Sequence, residues 1–132
     1  MKAIIIDDNE NFAKELCKKI NNVENCNEGL MISNGFEKLN ELADTVKEYI
    51  DSDTVLFINV NLKTGQNTRH LQKGIELLTW LRIRGVMNHC VLYSFETLHS
   101  LLKREPRNLI AASKGTSFVQ LPDKFNLDLK DL

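Results

Sequence analysis

Apolar runs of strand length alternate along the chain with segments of helical period. The first run, Ala3-Ile4-Ile5-Ile6, is unbroken and mostly β-branched, the composition of a strand buried on both faces of a parallel sheet. Phe12, Leu16, Ile20 and Val23 then recur on one helical face. Leu30-Met31-Ile32 predicts a short second strand. After Asn34-Gly35, a second helix carries Phe36, Leu39, Leu42, Ala43, Val46 and Ile50 on its apolar stripe. Val55-Leu56-Phe57-Ile58 predicts the third strand. The polar segment from Asn61 to Lys73 is longer than a connection needs and reads as a mobile or contact-making loop. A helix with Ile75, Leu78 and Leu81 follows, then a fourth strand at Cys90-Val91-Leu92-Tyr93 and a fifth at Phe118 to Leu121.

Strands alternating with helices predict an α/β domain with a parallel sheet and right-handed crossovers. At 132 residues the chain is one domain, spanning 1–132. In such sheets, chemistry gathers beyond the carboxyl ends of the strands, near the point where strand order reverses.

Composition narrows the function classes. Hydrophobic residues make up 42% and charged residues 27%, ordinary for a globular protein. A net charge of −1 gives no field that would draw the molecule onto nucleic acid or an anionic membrane. The short basic clusters, Arg82 with Arg84 and Lys103 with Arg104 and Arg107, read as solvated helix faces. Cys17, Cys26 and Cys90 are odd in number and lack C-x-x-C spacing, which argues against a disulfide framework and a structural zinc site. His70, His89 and His99 show no ligand spacing and read as structural or surface residues. No leader pattern or membrane-length apolar run is evident, so a cytoplasmic location is expected. No G-x-G-x-x-G or P-loop pattern occurs, and no nucleophile has an assignable base, so no enzymatic activity is expected.

The strand ends carry the candidate chemistry. Strand one ends in Asp7-Asp8, a carboxylate pair that is costly without a cation or basic neighbour and whose hard oxygens suit Mg²⁺. A solvated turn with a helix N-cap explains the same residues equally well. Strand three runs into Asn59-Val60-Asn61-Leu62, and strand four ends in Ser94. Taken in order, Ile4-Ile5-Ile6-Asp7-Asp8-Asn9, Val55 to Leu62, Gly74-Ile75-Glu76-Leu77-Leu78 with Leu81-Arg82, and Val91-Leu92-Tyr93-Ser94 resemble the landmarks of the receiver domain of two-component response regulators. The likeness spans nearly the whole chain. It implies a CheY-like, flavodoxin-like (βα)5 domain with a five-stranded parallel sheet, helices on both faces and a last helix that is short or truncated after Pro122, around Asn126 to Leu132.

In that family an acidic pair and a strand-three aspartate bind Mg²⁺, and that aspartate accepts the phosphoryl group. By resemblance, Asp7 and Asp8 match the acidic pair, Asn61 the metal-binding carbonyl position, and Ser94 the switching hydroxyl. The phosphoacceptor position holds Asn59. A carboxamide is a poor nucleophile and contributes no charge, so phosphoryl acceptance is not expected and Mg²⁺ binding is expected to be weak and dispensable. Strand five can be placed at Leu109 to Ser113, with Lys114 as the family lysine, or after Gly115, with Phe118 at the aromatic switch and Leu121 at the lysine position. Pro106 and Gly115 bracket the intervening segment as a helix, favouring the second placement.

The resemblance therefore implies a pseudo-receiver: a phosphorylation-independent signalling module with Asn59 in place of the acceptor. Its expected partner is a histidine kinase, an output domain or a second copy of itself, bound on the face of helix four, strand five and the chain end. Nucleic acid and membrane are not expected as partners. Two alternatives stay open: a conventional phosphorylatable receiver, with Asn59 engineered or the acceptor elsewhere, and a small flavodoxin-like ligand-binding domain.

Overall fold

The computed structural model describes residues 2–21, 25–27, 39–62, 73–94, 115–120 and 127–128. Their elements in chain order are β1 (Lys2–Ile6), α1 (Glu10–Lys19), β2 (Ile20–Asn21), β3 (Asn25–Asn27), α2 (Leu39–Lys47), β4 (Thr54–Asn59), α3 (Lys73–Ile83), β5 (Cys90–Ser94), β6 (Thr116–Gln120) and β7 (Leu127–Asp128). The chain is an α/β protein built on a parallel sheet. β1, β4, β5 and β6 lie side by side, with three-residue β3 against the free side of β1, giving the order β3-β1-β4-β5-β6.

Side-chain alternation sorts the apolar strands into two cores. Ile4, Ile6, Leu56, Ile58, Cys90 and Leu92 face α2 and α3, meeting Leu39, Leu42, Val46, Ile75, Leu78 and Leu81. Ala3, Ile5, Val55, Phe57, Val91 and Tyr93 face the other way, onto Ala13 and Leu16 of α1. Burial on both faces is why these strands read as unbroken apolar runs. Each fully buried Leu, Ile or Phe contributes about 1.5–3 kcal/mol of transfer free energy. Among the described residues, no helix is long and apolar enough to cross a membrane.

Helix ends are set locally. Asn9 caps α1, its side-chain oxygen accepting the Phe12 N–H at 3.1 Å, with Glu10 in the first turn and Lys18 and Lys19 in the last. α3 starts where Gly74 passes so close to β4 that a Cβ would collide with the Asn59 carbonyl and sit 2.9 Å from the Val60 Cα. The Gly74 N–H donates to the Val60 carbonyl at 2.8 Å, fastening the helix to the strand end.

Several sequence expectations are corrected. The strand beside β1 is Asn25–Asn27, a polar stretch. An edge strand pairs through backbone groups, so apolarity gives no sign of it; the expected strand at 30–32 lies outside the described residues. Arg82 and Arg84 are not a solvated face. Arg82 donates to the Val86 and Asn88 carbonyls at 3.0 and 2.7 Å and to the Gly115 carbonyl at 3.3 Å, tying α3 to the start of β6. Arg84 lies over the Trp80 ring and binds Asp44 at 2.6 Å, joining α3 to α2. Cys17 is disulfide-bonded, against the reading of the cysteine count, while Cys90 is free and buried. The short helix expected around Asn126 to Leu132 is replaced at Leu127–Asp128 by an extended segment paired in parallel with Ile20–Asn21. Of that stretch only Leu127 and Asp128 are described, and their pairing with Ile20–Asn21 runs through backbone groups, which an apolar pattern does not report. The preferred placement of strand five is met by Thr116–Gln120. Phe36, the loop over 63–72 and the helix expected over 108–114 lie outside the described residues.

Candidate functional site

β1, β4 and β5 are adjacent and parallel, with Ile6 opposite Ile58 and Asn59 opposite Tyr93. That register brings Asp7, Asn59 and Tyr93 into a row at the carboxyl ends of three neighbouring strands, all on the α1 face. Asp7 is 1% exposed, so each of its carboxylate oxygens needs a hydrogen-bond donor in place of bulk water. Three donors are present. The Asn9 N–H reaches Oδ1 at 2.9 Å. The Asn59 amide Nδ2 and the Tyr93 hydroxyl reach Oδ2 at 3.2 and 2.8 Å.

The orientation of the Asn59 amide is determined by its other end. The Asn61 N–H donates to Asn59 Oδ1 at 2.9 Å, and only an oxygen can accept there, so the NH₂ must face Asp7. Tyr93 is held in turn by Phe12 of α1, ring centroids 5.8 Å apart and planes tilted by 34°.

Burial raises the Asp7 carboxyl above its ordinary range, with a small push from Asp8; the donors from Asn9, Tyr93 and Asn59 pull it back. Burial, with the neighbouring Asp7 charge, pushes the Tyr93 phenol well above its usual value, so it stays protonated and donates. The result is one buried acid held by neutral donors.

The structure divides the residues singled out from sequence. Asp7 and Asn59 meet directly, and Asn61 joins them through its N–H. Asp8 lies next to them, half-buried. Ser94 is buried at the end of β5, one residue past Tyr93 and in step with Cys90 and Leu92, whose side chains join the α2–α3 core. Phe118 packs against that same core, opposite Leu92. The positions expected to switch are therefore in step with one face of the sheet while the acidic site is on the other. Leu121 and Lys114 lie outside the described residues. Sequence reasoning missed Tyr93. A tyrosine near the carboxyl end of a doubly buried strand is the signal for it, because a buried hydroxyl requires a partner.

Chemically, the row offers no activated nucleophile: a carboxamide, a protonated phenol and a buried carboxylate already accepting three hydrogen bonds. It also does not fit the Mg²⁺ that the family resemblance implies. Asp7 Oδ2 faces the amide NH₂ and the hydroxyl, and Asn59 Oδ1 is turned to the backbone. Among the described residues, no three His, Cys, Asp or Glu side chains are grouped to hold a metal. In comparisons with protein-family models, curated proteins and solved structures, nothing matches this chain.

Proposed function

We propose that the chain is a receiver-like regulatory module that acts by binding a protein partner and accepts no phosphoryl group. The observation that carries this reading is the 3.2 Å hydrogen bond from the Asn59 amide to the Asp7 carboxylate. In a working receiver two carboxylates would meet at that place, held apart by a cation. Here an amide donates directly into the acid, and the position that should attack phosphorus is neutral, its one oxygen accepting the Asn61 N–H. The strand order supports a flavodoxin-like (βα)5 arrangement, and Asp7 and Asn59 flank the point where that order reverses.

With nothing to phosphorylate, the domain has one signalling state, and its output surface is presented permanently. The partner is a histidine kinase, an output domain or a second copy of the chain, docking beside strand β6. Beryllofluoride, which mimics an acyl phosphate on an aspartate, tests the reading when added with Mg²⁺ while backbone amide resonances are followed. No response at residues 7–9, 59–61 or 94 is expected. Saturable shifts there would restore the conventional receiver reading.

A further inference from the structure

We propose that the Asn59 amide and the Tyr93 hydroxyl stand in the place of a divalent cation at Asp7, leaving the domain indifferent to Mg²⁺. The proposal rests on the geometry of three side chains, and it stands whether or not the chain is a signalling module. A carboxylate buried at the mouth of a parallel sheet needs positive charge or hydrogen-bond donors to be tolerated. A cation supplies the charge but needs oxygens pointed at it and keeps several waters. This site does the reverse. Asp7 Oδ2 accepts from Asn59 Nδ2 at 3.2 Å and from the Tyr93 hydroxyl at 2.8 Å, and Oδ1 accepts the Asn9 N–H at 2.9 Å.

Two features keep those donors in place. The Asn61 N–H fixes the amide, so turning its oxygen toward Asp7 would put an NH₂ against a backbone donor. The Phe12 ring and the β5 backbone fix the phenol, whose ring fills core space on the α1 face. A metal at Asp7 would have to displace both groups and break the hydrogen bonds that orient them.

The test is thermal unfolding of the unaltered chain, Asn59→Asp and Asn59→Ala, each with EDTA and with a series of MgCl₂ concentrations. The unaltered chain should melt at the same temperature throughout. Asn59→Asp should melt lower in EDTA and rise with Mg²⁺. At about ten times the dissociation constant the gain is about tenfold in folding equilibrium, or about 5 °C. Asn59→Ala adds no charge and covers the case in which Asn59→Asp fails to fold; it too should acquire a Mg²⁺ response, a smaller one. A Mg²⁺-dependent rise in the unaltered chain would overturn the proposal, as would indifference of both variants to Mg²⁺. None of these outcomes depends on an acyl phosphate or its mimic, so failure here is distinct from failure of the signalling reading.

Discussion

Replacing Tyr93 by Phe deletes one oxygen from the row at the strand ends and leaves the ring, with its Phe12 contact, in place. What is lost is a 2.8 Å hydrogen bond to a carboxylate that is 1% exposed. Hydrogen bonds to charged groups contribute about 1.5–3 kcal/mol, and Asp7 keeps its Asn9 and Asn59 donors, so about 2 kcal/mol is expected at neutral pH. That corresponds to about 8 °C in melting temperature for a domain of this size.

The pH dependence separates this cause from simple loss of packing. Asp7 already titrates above its ordinary value of 3.8, and removing a donor to the ionised form raises it further. A carboxyl whose folded pKa is raised binds protons more tightly in the folded state, so its contribution to stability falls as pH rises from 3.8 through the folded value. Below 3.8 the acid is protonated in both states and the variant loses only a neutral hydrogen bond, about 1 kcal/mol. The deficit of Tyr93→Phe should therefore grow from acid to neutral pH. Urea midpoints between pH 3.5 and 7.5, at constant m-value, measure it. A deficit that is flat across that range, or below about 0.5 kcal/mol at pH 7, refutes the charge-supporting role of Tyr93.

Gly74→Ala should cost about 2–3 kcal/mol in the same urea assay, because its Cβ meets the Asn59 backbone, whereas Gly85→Ala, at a φ of +81° in open space, should cost about 1 kcal/mol. Equal costs would mean that α3 does not press on β4 as described. Arg82→Lys should lose about 2 kcal/mol, since an ammonium cannot span the Val86, Asn88 and Gly115 carbonyls together; a melt unchanged from the unaltered chain would contradict that. Asp51 is held at about 2 chiefly by its hydrogen bond from Lys2, so its support is present above 3.8 and lost as pH falls toward 2. A carboxyl NMR titration should show that depressed value and its return toward 3.8 in Lys2→Ala.

The central strands were legible in the sequence because burial on both faces leaves an unbroken apolar run, as at Ala3 to Ile6 and Val55 to Ile58. The stripes of α2 and α3 were legible because their other faces are polar or partly exposed. Features made by backbone pairing were not. Asn25–Asn27 joins the sheet through N–H and C=O groups, and Leu127–Asp128 pairs with the chain just past α1, without an apolar run in either case. Arg82 and Arg84 misled because a guanidinium has the same letter whether it meets water or buried carbonyls. Strand ends located Asp7 and Asn59, but the spacing of residues carries no information on which end of an amide faces an acid. That was decided by the Asn61 N–H, a backbone group identical at every non-proline residue. Tyr93 reads from sequence only as the end of a strand run; its hydroxyl meets Asp7 because β1, β4 and β5 lie side by side, which no local pattern encodes.

The measurement that bears most directly on the central claim is intact mass after incubation with a small acyl-phosphate donor and Mg²⁺, for the unaltered chain beside Asn59→Asp. The unaltered chain should gain no phosphoryl group, because Asn59 presents an amide bonded to Asp7 where a nucleophilic carboxylate is required. Modification of Asn59→Asp alone would show that the rest of the pocket is intact and that the amide is what silences it. If the unaltered chain itself gained a phosphoryl group, the claim that this site accepts none would be wrong.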